Sequence, residues 1–496
     1  MKNLKRMLCG VLGMVLCLPA ALPVSAEVAA DGQTADSTAD EESGISIDTS
    51  GDAAYDVFTY RENETGITIT SCDTSATAAE VPSEIDGKPV TEIGDAAFMN
   101  CEFLTNLVIP APVKKVGESA FSNCPMLCTV TLPEGLTELG KGAFESCTML
   151  SQVALPATLT ELPEAAFYNC SYLPSFDVPA TIQTIGNEAF YSCTALKEVT
   201  LPEGIETIGD YAFQNCQVLE QVTLPASCTE LGSYVFDGCQ GLTALDVADG
   251  NTVYASQDGV LFTADGETLI RYPQAKDAAS YQVPEDCTAL ADWSFIGSTV
   301  LEQIDLGNVT EIGEDCFYYC TSLKSVVIPE GVTELKGAAF AYCLSMEEAQ
   351  LPSTMKKLGN HCFYSCAKLK KLELPDGLTT LGDQCLYNCV ALLQLNVPES
   401  ITEIGEQAIG YYTPSDATGN EAKEIDRLHV YNDGSKVVSQ YMQQWKAHVY
   451  APYLITGAII IVVVGGILLL VVLHHRRNQI RPTSRHASEA KSKKRR

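Results

Sequence analysis

Cysteine is the residue type in this chain with the most chemistry to offer, and its spacing is regular. Of 20 cysteines, Cys101, Cys124, Cys147, Cys170, Cys193, Cys216 and Cys239 follow one another at 23 residues, and Cys320, Cys343, Cys366 and Cys389 resume the step. Thiols in such a row can form disulfides, hold a metal or fill an apolar interior. Stacked strands lie about 4.8 Å apart, a Cα separation that a disulfide can bridge. Yet a repeat points every side chain the same way, and it sets a position rather than a pairing. Zinc needs further ligands to converge; Cys362 and Cys366 give a C-x-x-x-C spacing with His361 as the single His nearby. Cys316, Cys362 and Cys385 occupy a slot where other repeats have Ala97, Ala120 and Ala189. Cys therefore serves as a small apolar side chain with a weak donor, and a ladder of buried thiols is the expectation.

Other reactive constellations are missing from the sequence. Between an N-terminal leader and a C-terminal apolar run the histidines are His361, His429 and His448, and none sits in a nucleophile pattern. No G-x-S-x-G, H-E-x-x-H, phosphate loop or dinucleotide fingerprint occurs. Carboxylates are numerous but scattered over turn positions. The expectation is a protein that is not an enzyme, with no cofactor and no metal site.

The elements that position the thiols follow from a longer pattern. Pro110, Pro133, Pro156, Pro179, Pro202 and Pro225 keep the same 23-residue step, as do Phe98, Phe121, Phe144, Phe167, Phe190, Phe213 and Phe236. A period of roughly 20–50 residues is the mark of a solenoid. One unit, from Leu196, reads L-K-E-V-T-L-P-E-G-I-E-T-I-G-D-Y-A-F-Q-N-C-Q-V. Leu196, Val199 and Leu201 form the L-x-x-V-x-L strand signature of leucine-rich repeats. Pro202 cannot donate to a ladder and ends the strand. Gly204 and Gly209 turn the chain, and Ile205 and Ile208 form a second apolar stretch. Ala212, Phe213 and Cys216 are expected on one face of a single helical turn. Such a loop cannot stand alone and must stack on its neighbours.

The phase returns with Phe317, Phe340 and Phe363, then Leu386 and Ile409, and with Pro329, Pro352, Pro375 and Pro398. Phe295 and Ser298 mark a degenerate coil, with Gly307 where Pro is expected and one residue missing. Between the blocks, Val260-Leu261-Phe262 and Thr268-Leu269-Ile270 flank Asp265-Gly266, a pair suited to a type I′ hairpin turn. After Ile409 a C-terminal cap is expected: strand Leu428–Val430, turn Asn432–Gly434, a helix from Ser435 to Lys446 with Ser435 as N-cap, and strand His448–Tyr450. Val437, Val438, Tyr441 and Trp445 would cover the last open coil.

The motifs L-x-x-V-x-L-P, I-G-x-x-A-F and Cys three residues after Phe, as in Leu196–Cys216, resemble the BspA-like leucine-rich repeats of bacterial surface proteins. The resemblance runs from about Val81 to Tyr412, and V-P-S-E-I-D-G-K-P-V-T-E-I-G (Val81–Gly94) is similar to that family's first unit. It implies a surface protein, in some members an adhesin. The fold expected is an α+β repeat solenoid, a leucine-rich-repeat stack of about thirteen coils with a parallel strand face, plus one transmembrane helix.

The expected order of parts is a signal peptide (1–26), an acidic disordered spacer (27–54), an N-terminal repeat block (55–247), a hairpin insertion (248–284), a C-terminal repeat block (285–412), a cap (413–452), a transmembrane helix (453–473) and a basic cytoplasmic tail (474–496). Lys2, Lys5 and Arg6 before Met7–Leu18, with Val24-Ser25-Ala26 at the cut, define the leader. Tyr453–Leu473 is 21 residues without a charge, long enough to span a bilayer. The nine Lys/Arg behind it put the tail inside. That makes a single-pass type I protein of the cell membrane with its repeats outside. So many thiols there suit an anaerobic habitat. The outer part carries a net charge near −43, which argues against nucleic acid and would favour a basic partner or divalent cations.

The expected partner surface is the exposed residue between the second and third apolar positions of each strand, with Asp177, Thr200, Thr223, Asp246, Asp305, Gln350 and Glu373 facing the ligand. These are small or polar and lack the Tyr, Trp or Arg anchors of tight interfaces. Tyrosines gather instead around the turns, where they could hold carbohydrate or protein or simply pack at the solvent edge. The function expected is binding or adhesion to an extracellular protein or glycan; the alternative is an envelope spacer without a specific ligand.

Overall fold

The computed structural model describes residues 52–77, 79–410, 429–432 and 434–444. The leader, the apolar run 453–473, the basic tail, Trp445 and the strand expected at His448–Tyr450 lie outside them. Among the described residues no helix is long and apolar enough to cross a membrane.

The architecture is a parallel-strand β-solenoid of about 15 turns with almost no helix. One coil shows how the residues build it. Along Ser175–Asp177 the two ends are exposed and Phe176 is buried, the alternation a strand imposes. Pro179 ends the strand, and its carbonyl accepts the Ile182 N–H at 3.0 Å to close a tight turn. A second strand of two residues, Thr184–Ile185, follows. Each strand pairs in parallel with its counterpart 23 residues on: Asp177 with Thr200, and Ile185 with Ile208. Glycine after the second strand is set by close approach. A Cβ on Gly209 would lie 2.7 Å from the Asn187 nitrogen.

The third side of the coil is not the helical turn expected. Tyr211 and Asn215 have φ of 58° and 61°, left-handed values that end a helix at once. Alternate N–H groups therefore leave the coil. Tyr211, Phe213 and Asn215 donate to Ser233, Val235 and Asp237 of the next coil at 2.7–3.0 Å, while Gln214 and Cys216 close tight turns onto Tyr211 and Phe213. The α component of the expected fold class is thus replaced by a further run of coil-to-coil hydrogen bonds.

The described chain forms two compact units. The first holds residues up to Leu219 together with Glu230–Cys239; the second holds Glu220–Thr229 and the remainder from Gln240 to Gly410, with the C-terminal elements. The first unit opens on antiparallel strands, Ala53–Tyr55, Phe58–Glu62 and Ile67–Cys72, the last of which pairs in parallel with Lys88–Ile93. Its axis is a column of phenylalanines from Phe98 to Phe236, with ring centroids 5.0–5.9 Å apart.

The second unit contains the expected hairpin, whose strands Val260–Thr263 and Thr268–Arg271 are antiparallel. The turn differs from a type I′ pair. Gly266 alone is left-handed (φ 76°) and donates to the Thr263 carbonyl at 2.8 Å, so the loop is a type I turn followed by a left-handed glycine. Thr268–Arg271 then joins the coil ladder in parallel with Ala289–Leu290. Tyr272 takes the place of Phe, 4.9 Å from the Phe295 ring. That coil, and the one built on Ile67–Cys72, raise the count from thirteen to about 15, because neither carries the Ala-Phe mark. The short coil steps by 22 residues, pairing Gln303 with Ser325, and Gly307 absorbs the deletion at φ 54°, which proline cannot adopt. At the end, strand His429–Asn432 pairs with Gln394–Val397. A helix follows over 436–444. The Ser435 hydroxyl caps it, accepting the Val438 N–H at 3.3 Å. Val438 is fully buried, and the Tyr441 hydroxyl satisfies both the N–H and the carbonyl of Ile409 at 3.0 Å.

Candidate functional site

The repeated thiols lie inside, and they form a hydrogen-bonded ladder. Cys124 Sγ donates to the Phe98 carbonyl at 3.0 Å, Cys193 to Phe167 at 3.2 Å, Cys216 to Phe190 at 3.2 Å and Cys366 to Phe340 at 3.1 Å. The same carbonyl already accepts the N–H of the Cys in its own coil, as Cys193 N–H binds Phe190 at 3.1 Å. The thiol of the following coil therefore takes up the second lone pair of each Phe carbonyl. Alanine would leave that position empty, which explains why Cys holds it. Every described cysteine is free. Burial pushes the Cys193 and Cys320 thiols up to about 12 and raises the Cys216 thiol well above its ordinary value, so at neutral pH they are neutral donors rather than nucleophiles. Among the described residues no group of three His, Cys, Asp or Glu is placed to hold a metal ion.

The expected ligand-facing residues are brought together in part. In the first unit Asp177 and Thr200 are exposed neighbours in register. In the second unit Thr223 pairs with Asp246, and Gln350 with Glu373. Asp246 is half-buried, because the hairpin packs on its strand: Leu245 N–H donates to Gly259 and Val247 N–H to Ser256 Oγ. Asp305 lies beyond that hairpin, exposed and in register with Gln282. The seven residues thus do not form one patch.

A second set of outward residues escaped the sequence reading. The residue before the central apolar one faces the same way as the residue after it, since strand faces alternate. That adds Glu348, Lys371 and Gln394. Lys371 Nζ lies 2.7 Å from Glu348, and Gln350 Nε2 donates to Glu348 at 3.0 Å. These two contacts hold the Glu348 carboxyl below its ordinary range. Beside them a groove of about 410 Å³ is lined by Lys371, Glu373, Asp376, Gln394 and Asn396. The period of two, applied to both sides of the central residue, would have found them. The groove offers hydrogen-bond donors and acceptors of both signs and an open approach.

On the turn side of the first unit, tyrosines stack in flat pairs. Tyr168 and Tyr191 lie 4.7 Å apart at 3°, and Tyr211 and Tyr234 5.2 Å apart at 7°. Burial, then the neighbouring Tyr191 and Glu188, push the Tyr168 hydroxyl up to about 12. Burial and Glu188 raise the Glu145 carboxyl, against the opposing effect of Lys141.

No curated protein matches the chain in sequence. Solved structures share the fold. A leucine-rich cell surface protein from Faecalibacterium prausnitzii A2-165 is 24% identical, with a TM-score of 0.56 over 75% of this chain and 97% of that one. A leucine-rich-repeat protein from Bacteroides ovatus ATCC 8483 is 25% identical, with a TM-score of 0.56 over 77% and 100%. The pneumococcal vaccine antigen PcpA is 22% identical, with a TM-score of 0.51 over 79% and 96%. The family model for the BspA type leucine rich repeat region matches residues 91–193, 160–258 and 277–413. On that match, which takes in both blocks of Phe, Cys and Pro, the chain belongs to the BspA-type leucine-rich-repeat family.

Proposed function

We propose that this protein is anchored in the cell membrane by its C-terminal apolar run and displays its repeats outside, where the exposed strand residues bind an extracellular protein or a glycan. Family membership supports a surface protein with a binding or adhesive role. The leader, the uncharged run 453–473 and the basic tail support the single-pass type I arrangement. The observation that carries the reading is the register. Outward polar residues recur coil after coil, as Gln350 beside Glu373, so one ligand can be gripped at several equivalent points. The chemistry is that of a binding surface and not of an enzyme.

The test is binding of the full-length chain to arrays of glycans and matrix proteins, alongside the Gln350→Ala/Glu373→Ala variant. A ligand held by the parent and released by the variant is expected. An array on which the parent holds nothing leaves the spacer role. Protease added to intact cells should remove the repeats and spare a tail epitope; digestion of the tail from outside would overturn the topology.

A further inference from the structure

One edge of the second unit carries a connected run of aromatic rings. Trp293 lies 6.5 Å from Tyr318, Tyr318 lies 6.0 Å from Tyr319 and 5.4 Å from Tyr342, and Tyr319 lies 5.7 Å from Tyr342. Tyr342 leads on to Tyr364 at 5.4 Å, and Tyr364 to Tyr387 at 5.3 Å. All six come from the tight turn beside the Phe column, so successive coils each add one or two rings. Five of the six contacts are splayed by 31–69°, unlike the flat pairs of the first unit. None of the six is buried, and Tyr319 is 48% exposed.

Two of these tyrosines sit where the backbone does not ask for them. Tyr319 and Tyr342 have φ of 63° and 59°. At the same place other coils put Asn169, Asn215 or Ser192, and Asn is the side chain that adopts left-handed values most readily. A bulky ring there costs backbone energy; Tyr211 and Tyr234 of the first unit bear the same cost at φ 58° and 57°, so it is the splay of the rings that sets this edge apart.

The electrostatic setting narrows the partner. Exposed carboxylates stand just before these turns in two pairs, Asp292 and Glu314 at the start of the ring run and Asp383 and Glu406 at its end. Glu314 N–H donates to Asp292 Oδ1 at 2.7 Å, and Glu406 N–H to Asp383 Oδ1 at 2.7 Å, which lines the acids up in rows. The Trp293 backbone N–H donates to the Glu314 backbone carbonyl at 2.9 Å, so the two residues are neighbours on successive coils. Lys336 is already engaged by Glu311 at 2.9 Å and Asp292 at 3.9 Å. The His361 ring lies against Tyr364 at 5.5 Å.

We propose that this aromatic edge binds a Lys/Arg-rich segment of another polypeptide, laid across successive coils. Its cations sit over the tyrosine faces, where the ring quadrupole attracts them. The carboxylate rows supply long-range attraction and set the sign of the partner. A polyanion is repelled, and a neutral sugar can take short-range hydrogen bonds from the acids but none of their long-range attraction. The surface is separate from the strand face, so it stands or falls independently of the ligand bound there.

The experiment measures binding of an oligoarginine peptide to the full-length chain, beside a glutamate-rich peptide and a neutral glucan oligosaccharide. The Tyr319→Asn/Tyr342→Asn variant restores the residue that other coils use at this turn. It should melt like the parent and bind oligoarginine about tenfold more weakly. A Glu314→Gln/Asp383→Asn variant, which keeps the Oδ1 acceptor, should also weaken binding severalfold and flatten its salt dependence. Unchanged oligoarginine affinity in both variants overturns the proposal. So does glucan binding that the Asn variant abolishes while oligoarginine binds neither protein. Gln350→Ala should leave oligoarginine binding as it is; loss there would move the site to the strand face and end the inference.

Discussion

The two units use one coil grammar and differ in what they do with it. In the first, the axis is uniform: Phe98 to Phe236 stack without interruption, and the turn-side tyrosines cover one another in flat pairs at 3° and 7°. In the second, the axis begins with a substitution. Tyr272 replaces Phe and Ser298 replaces Cys, and the hydroxyls of both are buried without a hydrogen-bond partner among the described residues. Its turn-side rings are splayed. The comparison teaches that the axis tolerates change only at a cost, whereas the turn edge is free to vary. Regularity therefore reports stability, and the departures from it on the edge are where the proposed cation-binding rings sit.

The sharpest way to break that contrast is at the centre of the uniform column. Phe190 is fully buried, between Phe167 at 5.6 Å and Phe213 at 5.2 Å. Phe190→Ala should cost about 3–5 kcal/mol, with hydrogen-exchange protection lost around Leu196 and Leu219. Protection that survives at both residues would mean the rings are not what holds the stack.

A smaller effect tests the thiol ladder. Cys193→Ala removes a donor and a sulfur and should lower stability by about 1–3 kcal/mol. Cys193→Ser, which keeps a donor, should recover part of the loss. Equal losses in urea melts would reduce the thiol to filler.

The irregular axis predicts the opposite sign. Tyr272→Phe restores the repeat residue and removes an unpaired buried hydroxyl, so it should raise stability by about 1 kcal/mol. A drop in melting temperature would show that the hydroxyl has a partner.

The smallest expected change concerns Glu145, whose folded carboxyl is raised by burial and by Glu188. A raised carboxyl binds its proton more tightly in the folded state. Its stabilising contribution is therefore present below the ordinary carboxylate range and is lost as pH rises through the raised value. Glu145→Gln should flatten that part of the stability profile. Identical profiles for variant and parent would place the charge in water.

Much of this was legible beforehand, and the reasons are specific. Phe, Cys and Pro at a shared step announce a coil because each does one job that no neighbour can take over: Phe fills the axis, Pro ends the strand, Cys meets a carbonyl. Ser435 as a cap followed from its place before an apolar face. The turn-side helix was misjudged because Ala212, Phe213 and Cys216 have helical spacing, and spacing does not reveal backbone handedness. The clue is in Asn169, Asn215 and Asn388, which recur two residues after the apolar axis residue (Phe167, Phe213 and Leu386) and favour left-handed values. The outward strand row is only half legible in the L-x-x-V-x-L pattern, which marks one outward residue per strand where the pleat offers two. Interruption of the row at Asp246 depends on where the hairpin folds back, which no local pattern states.

The alternate N–H groups that leave each coil fix the grain of the molecule. Because Tyr211, Phe213 and Asn215 donate forward while the alternate carbonyls of Asp210, Ala212 and Gln214 receive from Glu188, Phe190 and Ser192 of the coil behind, every coil presents to its successor the same face it was offered. Such a body gains reach in whole steps, while partial changes such as the deletion at Gly307 and the hairpin are taken up where the chain turns. A duplicated coil meets matching donors and acceptors at both joints, whereas a few residues inserted into the Tyr211–Asn215 run leave buried amides facing nothing. Length is then a quantity inherited in units, and gene duplication, rather than gradual insertion, is the natural route by which chains of this kind come to differ in reach.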